Sequence, residues 1–252
     1  MVPYLKFLLM HTTKIQIPAL IVSLERAKLR RDRSKEQLQN YCDTWEIIDA
    51  IDGLKLQNLP LEYNEKKVKR LLGFSLTLAE LGCFLSHREA WIKCLEKNDA
   101  VLILEDDFVF NFHIKDAIDI AMENQSMWDI LRLHALTDSN HTEIKNTNLF
   151  RIVQNHGDPL GATAYMIKPS TAKKLLIYSN EIYEPLDHFL EHTKKHGLRI
   201  LALKPYPIST SGADSTIFDR PARHPITGTK KLKRSLYRMA DRFFSSNPWY
   251  PK

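Results

Sequence analysis

The chain has 252 residues, 44% of them hydrophobic and 26% charged, with only 8 glycines and 12 prolines. Those proportions support a buried core and exclude a chain that is disordered throughout. Its formal net charge of +6 suits an anionic partner such as a nucleotide, an acidic lipid or a nucleic acid, without choosing among them.

At the N-terminus, Phe7-Leu8-Leu9-Met10 is a short apolar run behind Lys6, with no small-residue cleavage pattern after it. No apolar run approaches the ~20 residues that span a bilayer, so the expectation is a protein neither exported by an obvious signal nor integral to a membrane. Residues 1–16 read as an extension before a catalytic domain over 17–220. Ala19 to Leu24 is a short apolar run, as a buried strand is, and the charged stretch from Glu25 to Gln39 reads as an exposed helix. Trp45 to Ile51 predicts a second strand that ends in a turn at Asp52-Gly53. Lys55 to Phe74 is weakly patterned and reads as a loop with a short helix.

Thr77-Leu78-Ala79-Glu80 fits a capping box, which starts a helix running to about Glu96. Ala100 to Leu104 is the most strand-like run of the chain. Strands follow over Asp129–His134, Gly161–Ile167 and Arg199–Leu203, and helices over Thr171–Tyr178 and Glu184–His196. The alternation predicts an α/β fold, a mixed sheet flanked by helices. Beyond Pro221 the character changes: Lys230, Lys231, Lys233, Arg234, Arg238 and Arg242 accompany Leu232, Leu236, Met239 and Phe243 at helical spacing. The tail over 221–252 therefore carries a basic amphipathic helix over 229–243. It suits an anionic membrane surface; a plain solvated helix and a nucleic-acid contact are the other readings, the last with no accompanying motif.

The chemistry concentrates after the Ala100–Leu104 strand, at Glu105-Asp106-Asp107. Three adjacent carboxylates repel one another and call for water, a donor or a cation. Glu105 and Asp107 lie two apart and share a face in extended chain. Mg²⁺ or Mn²⁺ is the type of ion that one or two carboxylates and substrate phosphates hold, and ligands of open α/β sheets gather at the carboxyl ends of strands. A solvated acidic loop is the bland alternative. Cys42, Cys83 and Cys94 form no CxxC pair and read as reduced thiols of a cytoplasmic protein. His188-Phe189-Leu190-Glu191-His192 has the HxxEH spacing of inverted zincins, but no glutamate follows Glu191 to complete such a site.

The order of segments resembles glycosyltransferase family 25, the lipooligosaccharide galactosyltransferases of Gram-negative bacteria. The matching pieces are Val22-Ser23-Leu24-Glu25-Arg26 with Arg30-Arg31, then Asp49-Ala50-Ile51-Asp52-Gly53. Leu78-Ala79-Glu80-Leu81-Gly82-Cys83-Phe84-Leu85-Ser86-His87 and Leu104-Glu105-Asp106-Asp107 follow. Gly161-Ala162-Thr163-Ala164-Tyr165 and Pro185-Leu186-Asp187 complete a set that covers about residues 17–210. The resemblance implies a GT-A-like fold, a UDP-hexose donor, usually UDP-galactose, and inversion at the anomeric carbon. It also implies a saccharide acceptor on a lipid-linked core. With the reduced cysteines and the basic tail, the expectation is a cytoplasmic enzyme peripheral on the inner membrane, with no nucleic-acid partner. The resemblance makes Asp107 the metal ligand, and sets Ser23, Leu24, Arg26, Arg31, Asp49, Asp52, Gly53, Glu105 and Asp106 around the donor. Ser86, His87, Gly161 and Thr163 then face acceptor or donor sugar. Inversion needs a base to take the acceptor proton, with Asp187 first and Glu80 second.

Each of these residues also has a structural reading. Glu80 closes the capping box; His87 is a hydrogen-bonded histidine of a helix stripe; Asp49 and Asp52 form a turn; the arginines line a solvated helix face. Gly161 to Tyr165 is a core strand. A non-catalytic nucleotide-sugar-binding relative and a metal-dependent nuclease are the alternative functions.

Overall fold

The computed structural model describes residues 14–111 and 113–212. The basic helix expected over 229–243, with the rest of the tail beyond Gly212, lies outside the described residues, as do residues 1–13 of the N-terminal extension. Lys14 to Gln16 are described: Ile15 pairs with Cys42 and is buried in the core beside Leu38.

The elements alternate as expected. β1 (Ala19–Ser23), α1 (Lys28–Tyr41) and β2 (Trp45–Asp49) precede α2 (Glu65–Leu71) and the long α3 (Leu78–Leu95). Then come β3 (Val101–Glu105), β4 (Phe108–Phe110), α4 (Ile114–Glu123) and β5 (Ile130–Arg132). β6 (His141–Asn146), β7 (Arg151–Asn155), β8 (Ala164–Ile167) and α5 (Pro169–Tyr178) follow. α6 (Leu186–Glu191), α7 (Thr193–His196), β9 (Ile200–Lys204) and β10 (Ile208–Thr210) close the described chain. Eight strands form one mixed sheet in the order β2-β1-β3-β8-β5-β9-β7-β6, and β4 pairs with β10 in a separate ribbon.

Several elements differ from expectation. α1 starts three residues after Glu25, because Leu24 to Ala27 form a turn closed by the Ala27 amide on the Leu24 carbonyl. The helix expected over Glu184–His196 is two short ones, broken at His192, whose ψ of 59° leaves the helical range. α4 and the strands β4, β6, β7 and β10 are additions to the elements expected from sequence. α4 nonetheless buries Ile114, Ala117, Ile118 and Ala121, a regular helical stripe.

β1 and β3 read as unbroken apolar runs because both of their faces are covered. Ala19, Ile21, Leu102 and Leu104 pack toward Leu38 and the α4 stripe. Their neighbours Leu20, Val22, Val101 and Ile103 pack toward Leu81, Phe84 and Trp91 of α3 and Leu175 of α5. The topology then fixes where a ligand sits. β2 and β3 run parallel to β1, so Ser23, Asp49 and Glu105 finish at one edge. β8 runs antiparallel to both β3 and β5 and brings Thr163, just before its first residue, to that edge.

Candidate functional site

At this edge opens a cleft of about 200 Å³, between the turns after β1 and β2, the N-terminal half of α3 and Glu105-Asp106-Asp107. Ser23, Leu24, Arg26, Asp52, Gly53, Ser86, His87 and the three acidic residues all line it. Thr163 reaches it through Glu105. The Glu105 N–H donates to the Thr163 carbonyl at 2.8 Å, and the Thr163 hydroxyl donates to Glu105 Oε2 at 3.1 Å.

The wall after β1 and β2 is tied by arginines. Arg26 Nε donates to Asp52 Oδ2 at 2.8 Å, and this bond holds the Asp52 carboxyl below its ordinary pKa. Asp52 Oδ1 also caps the short turn by accepting from the Leu54 amide. Arg31 stands outside the lining: it donates to the Ser23 and Leu24 carbonyls and to Asp49 Oδ1, which clasps the ends of β1 and β2. Asp49 is likewise taken by that clasp. Ser86 accepts from the Ile51 amide at 2.8 Å and donates to the Gly82 carbonyl at 2.6 Å, so its hydroxyl joins α3 to the turn after β2.

The three carboxylates have different surroundings. Asp106 turns inward: Ser23 Oγ donates to one oxygen, Arg30 Nη2 pairs with the other, and Ser34 Oγ donates to its carbonyl. Burial works against the charge of Glu105, yet His87, Thr163 and Arg30 together outweigh it and hold the carboxyl below its ordinary range. Asp107 is the odd one. Its Oδ1 is buried with no hydrogen-bond partner, and Arg30 Nη2 is 3.8 Å from its other oxygen. Burial and the charge of Glu105 push its pKa up to about 6. A buried, unpaired carboxylate oxygen directly after two further acidic residues of the chain is a place that a hard cation fits.

A second group of donor atoms lies close by. Cys83 and His87 are four apart on α3 and share one helix face. With Glu105 they bring ligand atoms within 4.8 Å of one another, a spacing suited to a metal ion. A C-x₃-H pattern on a helix is the sequence signal for it, and a reading centred on the carboxylates misses Cys83. It also misses His134, just beyond β5, which is buried, has no partner at Nδ1, and has its pKa lowered by burial.

Besides Arg31 and Asp49, three expected residues stand apart from the cleft. Glu80 is buried in the capping box, with Oε2 accepting from the Thr77 amide at 2.9 Å while Thr77 Oγ1 accepts from the Glu80 amide. Gly161, at φ +87°, gives its carbonyl to Arg132 Nη1. Asp187 sits half-buried in the first turn of α6 and accepts from the His188 amide at 3.0 Å. Burial raises the pKa of Glu191, and the charge of Asp187 adds to that rise. The HxxEH residues diverge: Glu191 pairs with buried Arg132, and His192 Nδ1 lies 3.0 Å from Glu184.

Residues 16–190 match the family model described as glycosyltransferase family 25 (LPS biosynthesis protein). Inactive glycosyltransferase 25 family member 3 of Homo sapiens is 29% identical over 68% of this chain and 30% of its own length. Procollagen galactosyltransferase 1 of Danio rerio is 24% identical over 79% of this chain and 37% of its own. Procollagen galactosyltransferase 2 of Homo sapiens is 29% identical over 44% and 19% respectively. The chain thus spans about a third of the length of the curated relatives it matches. With one family model covering well over half of the sequence and every residue that lines the cleft, the chain belongs to glycosyltransferase family 25.

Proposed function

We propose that this chain transfers a hexose, most simply galactose, from a UDP-sugar to a saccharide acceptor, with inversion at the anomeric carbon. The observation that carries the reading is Asp107 Oδ1, buried and unpartnered in a cleft at the carboxyl ends of β1 and β3. Asp107 would hold Mn²⁺ or Mg²⁺, and a bound ion would supply Lewis-acid stabilisation of a diphosphate leaving group. The chain's own contribution lies in charge and position. Arg26 and Arg30 line the same cleft and favour the anionic end of a nucleotide. Asp187 stands apart from the cleft and is the base in this reading only where acceptor and hexose extend to the first turn of α6; it is preferred to Glu80 because Thr77 already occupies the Glu80 carboxylate.

The acceptor proposed is the lipid-linked oligosaccharide of a bacterial lipooligosaccharide, met at the inner membrane surface by the basic segment over 229–243. Among the described residues, no helix is long and apolar enough to cross a membrane. The experiment is UDP release from a panel of UDP-sugars with and without Mn²⁺. Metal-dependent release from one donor, abolished in Asp107→Ala, supports the transferase. Asp187→Asn should keep UDP binding and lose transfer; near-normal turnover would remove Asp187 from the base role. A second reading, a nucleotide-sugar binder without turnover, is favoured by the relative named inactive. It predicts UDP binding in Mn²⁺ with no release from any donor, acceptor present.

A further inference from the structure

His87 is a fully buried histidine that lines the cleft, and its neighbours decide which ring nitrogen carries the proton. An indole N–H is a donor only, and Trp91 Nε1 donates to Tyr165 Oη across 2.9 Å. The same Oη lies 2.8 Å from His87 Nδ1. Tyr165 is wholly buried, so leaving its O–H without an acceptor is costly. Donation to His87 Nδ1 satisfies it. A neutral imidazole whose Nδ1 accepts carries its hydrogen on Nε2.

That Nε2 has no hydrogen-bond partner. Glu105 Oε1 stands 3.6 Å away, beyond hydrogen-bond length but near enough for one oxygen to lie within reach of both atoms. An N–H donor beside a carboxylate acceptor is complementary to a group that accepts and donates at a single atom. A hydroxyl is such a group.

We propose that the Trp91–Tyr165–His87 chain fixes His87 as an Nε2–H donor, which with Glu105 grips one hydroxyl of the nucleotide-sugar. The hydroxyl belongs to the ribose or to the transferred hexose, and Tyr165 and Trp91 are positioning residues for the contact. This inference rests on the nucleotide-sugar reading above. It also separates the two cation candidates. A protonated Nε2 has no lone pair for a metal, so the Cys83–His87–Glu105 group does not ligate one while Tyr165 stays in place, and the cation falls to Asp107.

The test is calorimetric binding in Mn²⁺ of UDP, 2′-deoxy-UDP, 3′-deoxy-UDP, and the preferred UDP-hexose with its deoxy-sugar analogues. Loss of one hydroxyl should weaken binding to the unaltered protein about 10-fold. The ribose and hexose series identify which sugar supplies it. His87→Ala should shrink that discrimination to the part that Glu105 supplies, and His87→Gln, which keeps an N–H donor, should restore some of the loss; full discrimination in His87→Ala would overturn the proposal. Tyr165→Phe should reduce discrimination when His87 is present and not in the His87→Gln background, a dependence that lost stability alone does not produce. If the unaltered protein binds UDP but distinguishes none of the analogues, the inference falls and the nucleotide reading stands. If it binds no UDP at all in Mn²⁺, the nucleotide reading falls and takes the inference with it. A thiolate-to-cobalt absorption band on adding Co²⁺ to the unaltered protein, lost in Cys83→Ser, would overturn the tautomer assignment.

Discussion

Gly82 of α3 and Gly53 after β2 meet backbone to backbone: a methyl group on Gly82 would lie 2.7 Å from the Gly53 nitrogen and 2.6 Å from the Ile51 carbonyl oxygen. One on Gly53 would lie 1.9 Å from the Leu78 carbonyl oxygen. Two bare backbones let α3 press against the turn that forms one wall of the cleft, and Ser86, one helical turn on, locks them by hydrogen bonds to Ile51 and Gly82.

Gly82→Ala therefore forces rigid backbone apart rather than a flexible side chain. It should cost about 2–3 kcal/mol of stability and weaken nucleotide binding by moving Asp52 away from Glu105. Urea denaturation with UDP titration checks both effects. A variant as stable as the parent would show that the turn yields without cost.

Arg30 carries a different load. Its guanidinium pairs with Asp106, which is buried, and stands 3.8 Å from Asp107. Arg30→Gln leaves Asp106 without its cation, and breaking such a pair costs about 3 kcal/mol. The loss should be smaller in Asp106→Asn, because neither buried charge is then left facing the other. A double-mutant cycle by chemical denaturation measures the coupling; a coupling near zero would mean that Ser23 alone holds Asp106.

Much of this arrangement is legible in the sequence. β1 and β3 announce themselves because burial on both faces demands unbroken apolar runs. Thr77 and Glu80 mark the start of α3 because a capping box is a local device. Glu105 to Asp107 stand out because carboxylates directly after a buried strand need an explanation. What stays hidden depends mostly on pairing between distant residues. Five of the six residues of β6 are exposed, so no period betrays it, and only β7 makes it a strand. β4 and β10 have three residues each and find one another across about a hundred positions of chain. The α4 stripe is different, since Ile114, Ala117, Ile118 and Ala121 recur at helical spacing and are readable locally. His87 is visible as a site candidate, while the Tyr165 that sets its tautomer lies 78 residues away.

The HxxEH spacing illustrates the same limit in reverse. Sequence presents Glu191 between two histidines, yet in the fold it pairs with Arg132, which is 1% exposed and also donates to the Gly161 carbonyl. Burying a guanidinium this deeply requires its carboxylate. Glu191→Ala should destabilise the protein by about 3–5 kcal/mol, while a zinc chelator should leave the unaltered protein's melting temperature where it was. A chelator-sensitive melting temperature that disappears in His188→Ala would restore the motif as a metal site.

His196 makes the fold acid-sensitive. It is buried edge-on against Phe189, its Nδ1 accepts from the Leu198 amide at 3.1 Å, and its Nε2 has no partner. Burial pushes its pKa down to about 4, against about 6.5 in an unfolded chain. Between those values the unfolded state binds the proton that the folded state refuses. Stability is therefore fully present above pH ~6.5, falls as pH drops through the window, and levels off below about 4, losing up to about 3 kcal/mol. His134, also held low by burial, adds to the same slope. His196→Asn keeps an acceptor for Leu198 and removes the titration. Urea midpoints measured from pH 7 to pH 4 should fall less steeply in that variant, and an identical slope would place the acid sensitivity on other groups.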